Sequence, residues 1–189
     1  GGSKGSLCGN YAMQHADLLL AVGTRAVCQS DSSRTGYLNV KRVININADP
    51  QDATHYNNTL ALVGDVRRTL ERLNQALGPQ IADKLSWLAA CAEKKAAWQV
   101  FKAERWANAV LKDDYWNSPV LTQPAAIKIA TDWGKAQGAV CFFDAGDVQA
   151  NGFQVIEDER PDQTFTETGA SYMGFAVSAL LATGVAASP

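Results

Sequence analysis

The sequence predicts an α/β protein: part of a Rossmann-like parallel sheet, a helical linker, then a second α/β segment. Three observations carry this. Leu18–Val22 and Ala139–Phe143 are apolar throughout and end near glycine, as strands covered on both faces do. Val66, Leu70, Leu73 and Leu77 recur at helical spacing and stop at Gly78-Pro79. Strand-like and helix-like segments alternate in the first and last thirds, the order that gives parallel pairing.

The elements follow in order. Asn10 to Asp17 reads as a short helix leading into the strand Leu18–Val22, which ends at Gly23. Val43-Ile44-Asn45-Ile46-Asn47 is rich in β-branched residues and stops at Asp49-Pro50, so it is a second strand. Leu60–Val63 is a third, ending at Gly64-Asp65 before the helix Val66 to Leu77. Ile81 to Trp116 contains neither Gly nor Pro and reads as one or two surface helices. Its tryptophans, Trp87, Trp98 and Trp106, suit core or interface packing better than a binding platform. Thr122-Gln123-Pro124 opens a helix to about Lys135. The strand Ala139–Phe143 ends in Asp144-Ala145-Gly146-Asp147, and a polar stretch runs on through Gln163. A small-residue helix from about Met173 to Val185 closes the chain, its composition suggesting close packing on a sheet.

Composition narrows the function. The 189 residues are 47% hydrophobic with a net charge of -2. That is enough apolar material for a core, and no run of positive charge suggests nucleic acid. The apolar stretch Gly174 to Ala187 is too short to span a bilayer. Cys8, Cys28, Cys91 and Cys141 form no C-x-x-C pair, and His15 and His55 lie near none. They read as reduced, mostly buried thiols of a cytoplasmic protein rather than a metal site. Asp113-Asp114 and Glu157-Asp158-Glu159 read as solvated carboxylates. G-x-S-x-G, H-E-x-x-H, P-loop and G-x-G-x-x-G patterns are absent.

Two constellations could carry chemistry. The first gathers three strand ends: Gly23-Thr24-Arg25, Asn47-Ala48-Asp49 and Gly64-Asp65-Val66. Ligands of open parallel sheets bind at such ends. Glycine admits a phosphate, Asn and Asp bond ribose hydroxyls, and Arg25 neutralises charge. The plainer reading of the same residues is turn glycines and helix caps. The second constellation is Asp144-Ala145-Gly146-Asp147 with Thr168-Gly169-Ala170-Ser171-Tyr172-Met173-Gly174-Phe175. Here a strand end and a glycine-flanked turn open onto a helix, whose N–H groups could face an anion. A plain strand–turn–helix corner is the alternative.

Ala16 to Arg25, Val43 to Pro50 and Val63 to Val66 resemble the central domain of thiamine-diphosphate-dependent enzymes of the acetolactate-synthase-like superfamily. Thr168 to Ala176 is similar to the start of that superfamily's diphosphate-binding domain. Within it, Gly2-Ser3-Lys4-Gly5-Ser6 and Asp31-Ser32-Ser33-Arg34 resemble the cyclic 1,2-dione hydrolases, which act on cyclohexane-1,2-dione or trihydroxycyclohexane-1,2-dione. The resemblance implies three parts. Residues 1–78 are the C-terminal part of the central domain, 79–118 the helical linker, and 119–189 the start of a doubly wound diphosphate-binding domain. It also implies that the catalytic glutamate precedes Gly1 and that the magnesium ligands follow Pro189. The chain then reads as an internal piece that does not turn over alone.

The resemblance further implies thiamine diphosphate with Mg2+, and FAD or ADP in members whose central domain holds a nucleotide. Met173 matches the residue that wedges under the coenzyme and bends it, with Gly174 after it. Ser171 matches the carbonyl that accepts from the coenzyme's amine, and Ala145, Gly146 and Asp147 match the diphosphate contacts. Asp147 stands where acetolactate synthases carry Gln, and its charge opposes a phosphate. Gly23, Thr24, Arg25, Asn47, Ala48, Asp65 and Val66 match the nucleotide contacts, with Asn47 in place of the usual Asp. The implied substrate is a small 2-oxo or 1,2-dione compound, with no nucleic acid or membrane partner, and the implied assembly a homodimer or homotetramer. Two rivals stand beside this reading: a non-catalytic nucleotide-binding module, and an assembly protein built on the tryptophan-bearing helices.

Overall fold

A computed structural model of the chain describes residues 5–25, 35–54, 56, 58–79 and 83–186. The chain forms two compact units, Gly1–Trp98 and Gln99–Pro189, and the division falls within one helix.

The first unit holds α1 (Leu7–His15), β1 (Leu18–Val22), β2 (Arg42–Asn47), α2 (Pro50–Ala53), β3 (Thr59–Val63), α3 (Val66–Leu77) and the start of α4 (Leu85–Ala107). β1, β2 and β3 make a parallel sheet in that order, with Val22 opposite Ile46 and Asn47 opposite Val63. A core cluster lies on one face, where Ala21 and Val43 meet Tyr37, Val40 and Tyr56, backed by Met13 and Leu19, while Ile46, on the opposite face of β2, is fully buried as well. Leu18, Leu20 and Val22 point from the other face and are 49%, 45% and 39% exposed. The expectation that β1 is covered on both faces therefore fails. Among the described residues β1 pairs with β2 alone, and one of its faces is packed. α3 has the bounds its periodicity predicts. Asp65 caps its start by accepting from the Arg68 N–H at 2.9 Å, and Gly78 ends it at φ 59°.

The second unit holds the end of α4, β4 (Val110–Asp113), β5 (Ser118–Leu121), α5 (Gln123–Ala136), β6 (Cys141–Phe143), α6 (Asp147–Val155), β7 (Thr164–Thr166) and α7 (Phe175–Val185). β4 and β5 form an antiparallel hairpin where the sequence suggested helix running to Trp116. Alternation over four residues is too short to outweigh the helix-favouring composition upstream. β6 and β7 pair in parallel, with Phe142 opposite Phe165. Thr122 caps α5 and Pro124 sits in its first turn.

α6 is a helix inside the stretch read as polar loop. Its interior Gly152 hides the helical signal, yet contact with β6 requires it: a Cβ there would stand 3.3 Å from the Phe143 ring. The acidic run beyond α6 is not merely solvated, because Lys102 pairs with Glu157 and Lys135 with Asp158 at 2.7 Å. α7 does not show the close packing its small residues suggested. None of its residues is buried, and Val177, Leu180 and Leu181 lie exposed. Cys8, Cys91 and Cys141 are free and half-buried. Cys28, His55 and Asp31 to Arg34 lie outside the described residues.

Candidate cofactor site

β6 delivers the first half of the site. Phe143 is buried at its end, and Asp144, Ala145 and Gly146 turn the chain into α6. Ala145 is buried, while Gly146 adopts φ 80°, ψ -143° and caps α6 without a side chain. Only glycine takes that conformation without strain. Asp147 is exposed in the first turn of α6, where the helix dipole favours a carboxylate.

The second half is the turn between β7 and α7. Gln149, 1% exposed, donates to the Thr166 hydroxyl and to the Glu167 carbonyl, each at 2.8 Å. That fixes the backbone at the turn's entrance. The Glu167 carboxylate accepts the N–H groups of Gly169 at 2.5 Å, Ala170 at 2.9 Å and Tyr172 at 3.4 Å. These donors, Ala170 first among them, outweigh partial desolvation and hold the Glu167 carboxyl below its ordinary value. Ser171 sits at φ 58°, the left-handed region that a side chain seldom enters. Gly174 follows at φ 92° as the cap of α7, again with no side-chain cap of its own.

The two halves meet. Met173 is 78% exposed, and its Sδ lies 3.7 Å from the point where a Cβ on Gly146 would stand. The Gly174 N–H donates to both oxygens of Asp144, at 2.8 and 2.9 Å. Thus Ala145, Gly146, Met173 and Gly174 come together, Ser171 lies in the same turn, and Asp147 is one residue beyond. Within the turn, as distinct from the helix it opens onto, side-chain carboxylates take several N–H groups. Glu167 takes those of Gly169, Ala170 and Tyr172, and Asp144 takes that of Gly174. Sequence reasoning named Asp144 in the constellation without giving it a role, and left Gln149 and Glu167 out. The one available signal was an acid directly before each glycine-bearing turn, a pattern that favours local side-chain-to-backbone bonds.

The strand-end constellation lies in the first unit. Parallel pairing sets its parts side by side: the Gly23 N–H bonds the Ile46 carbonyl and the Gly64 N–H the Asn47 carbonyl, both at 2.9 Å. Asn47 is buried, donates to the Thr24 carbonyl at 3.0 Å and accepts from the Asp49 N–H at 3.2 Å. Asp49 caps α2 and Asp65 caps α3, the plainer of the two readings. A Cβ on Gly23 (φ 62°) would meet nothing within 4 Å, and Arg25 and Ala48 are exposed. Val66 opens α3 and is half-buried. Among the described residues, no group of three or more His, Cys, Asp or Glu is placed to hold a metal ion.

Residues 1–73 match the family model of the thiamine pyrophosphate enzyme central domain. The chain is similar to the acetolactate synthase isozyme 2 large subunit of Escherichia coli (strain K12), at 28% identity over 195 residues. It is also similar to 3D-(3,5/4)-trihydroxycyclohexane-1,2-dione hydrolase of Listeria monocytogenes serotype 4b (strain F2365), at 26% identity over 205 residues. Each match covers 98% of this chain and 31% of the relative, so the chain spans about a third of these curated relatives' length. Both relatives are of the kinds the sequence resemblance pointed to. Among the described residues, no helix is long and apolar enough to cross a membrane.

Proposed function

We propose that this chain is part of a thiamine-diphosphate-dependent enzyme that makes or breaks a carbon–carbon bond next to a carbonyl. In this reading Ala145, Gly146, Asp147, Ser171, Met173 and Gly174 hold part of the coenzyme. The observation that carries it is the meeting of the exposed Met173 thioether with the side-chain-free Gly146. The residues fit the group: an uncovered apolar sulfur, a glycine that leaves room, and a turn held by its own carboxylates. The substrate class is a small 2-oxo acid or a cyclic 1,2-dione; one relative is named as an acetolactate synthase and the other as a trihydroxycyclohexane-1,2-dione hydrolase.

Bound thiamine diphosphate supplies an electron sink for the carbon beside the bond being made or broken. The chain's own residues bind and orient. Met173 offers a polarizable sulfur to one side of an aromatic ring. Ser171, held in its left-handed conformation, presents a carbonyl that accepts a hydrogen bond from an amine. Ala145 and Gly146 let the backbone approach closely. Asp147 would set a negative charge against a phosphate, which a bound divalent cation would offset. The exposed Val177, Leu180 and Leu181 of α7 support assembly as a homodimer or homotetramer, and a cytoplasmic setting suits the free thiols. FAD or ADP at the strand ends is a second reading, favoured by the open space at Gly23 and weakened by the backbone bonds of Asn47 and Asp65.

Isothermal titration of the full-length protein with thiamine diphosphate, with and without Mg2+, tests the main reading. Saturable binding is expected with Mg2+, weakened in Met173→Ala. Absence of binding in the presence of Mg2+ overturns it.

A further inference from the structure

We infer that Asp144 is a positioning residue that sets Met173 against the coenzyme; this rests on the reading above. The two halves of the site come from stretches 30 residues apart. Asp144 ties them: both its oxygens accept the Gly174 N–H, at 2.8 and 2.9 Å, and Oδ1 also accepts the Ala145 N–H at 2.8 Å. One carboxylate thus fixes the strand end that bears Gly146 and the turn that bears Met173.

The location of the tie gives it leverage. The Gly174 N–H belongs to the peptide plane that follows Met173, so anchoring it fixes the backbone from which the thioether projects. Burial cannot do this, because Met173 is largely exposed. Glu167 anchors the turn up to Tyr172, and Asp144 anchors it at Gly174, leaving Met173 between two fixed points. α7 has no side-chain cap from its own cap residue Gly174, so Asp144 also brings a carboxylate to its N-terminal end. A charge-assisted bond of this kind is about twice as strong as a neutral one.

Met13 and Met173 are the two methionines of this chain. In the full-length protein labelled with 13C-methyl methionine, their resonances are assigned by Met13→Leu and Met173→Leu. Asp144→Ala is expected to shift and broaden the Met173 signal, leave Met13 in place, and weaken thiamine diphosphate binding by about tenfold, the size of one charge-assisted bond. Asp144→Asn keeps one acceptor oxygen and is expected to show the same changes, smaller in both readouts. If Asp144→Ala moves Met13 as well, the fold is lost and Asp144→Asn decides. Parental Met173 resonance or parental affinity in a folded variant overturns the positioning role while leaving coenzyme binding intact. Failure of the parent to bind overturns both readings and is seen before any variant is made.

Discussion

Replacing Gly146 by alanine isolates backbone conformation from packing. At φ 80°, ψ -143°, Gly146 lies where residues with a Cβ are strained, at a cost of about 1–3 kcal/mol. Contact adds little, since the new Cβ would meet the Met173 sulfur at 3.7 Å, an ordinary van der Waals distance. The loss is therefore all backbone. Gly184→Ala is the control, because Gly184 lies in α7 and a Cβ there meets nothing within 4 Å. There alanine should gain up to about 1 kcal/mol through helix propensity. Urea unfolding followed by circular dichroism gives both values, provided the slope with denaturant stays constant. One substitution type should thus give opposite signs at two positions. Gly146→Ala within about 0.5 kcal/mol of the parent, the usual range of a neutral surface change, would refute the reasoning.

Asn47→Ala removes the bonds to the Thr24 carbonyl and the Asp49 N–H and should cost about 1–3 kcal/mol; a loss below about 0.5 kcal/mol in urea would show that the ties contribute nothing. Glu157→Ala leaves the 7%-exposed Lys102 without its carboxylate and should destabilise more than Lys102→Met, though water around the 62%-exposed Glu157 side chain limits the loss to about 1 kcal/mol. The reverse ranking in thermal melts would contradict this. Glu167 has a folded-state pKa depressed below 4.5, so its contribution is present above that value and is lost as pH falls through the lower, folded-state value. The stability difference between the parent and Glu167→Gln should hold steady from neutral pH down to about 4.5 and then shrink. A difference that persists unchanged into strong acid would remove the N–H bonds as its source.

What the sequence made legible follows from the range of each signal. α3 was readable to the residue because cap, apolar spacing and terminating glycine are all local. The parallel pairing of β1, β2 and β3 was readable from apolar runs with glycine-bearing ends, but which face of β1 is covered was not. That depends on which elements pack beside it, and no local pattern encodes them. α6 was lost because Gly152 serves a contact with Phe143, and propensity counts such a glycine against a helix. At the site, Met173 and Gly146 were legible as motif residues. The tie made by Asp144 and the presence of Gln149 were not, because each acts on backbone groups that are distant in sequence. Asn47 was chosen for its chemistry, and the structure shows that chemistry directed at Thr24 and Asp49.

The charges around the Met173 turn bear on which end of the coenzyme it suits. Residues 144–149 and 164–175 carry Asp144, Asp147 and Glu167 and no Lys, Arg or His. Asp144 and Glu167 are partly offset by the N–H groups they accept, whereas Asp147 is exposed at the start of α6. A phosphate charge 4 Å from a carboxylate near a protein surface meets about 4 kcal/mol of repulsion. The helix dipole returns only about 0.3–1 kcal/mol of that. A diphosphate is therefore not held here by these residues alone, and a divalent cation has to reverse the balance. A neutral ring meets no such penalty, and a thioether beside it contributes about 0.3–1.5 kcal/mol. In the proposed reading the turn thus suits the uncharged ring system better than the phosphates. Full affinity in the magnesium-free titration would contradict this division.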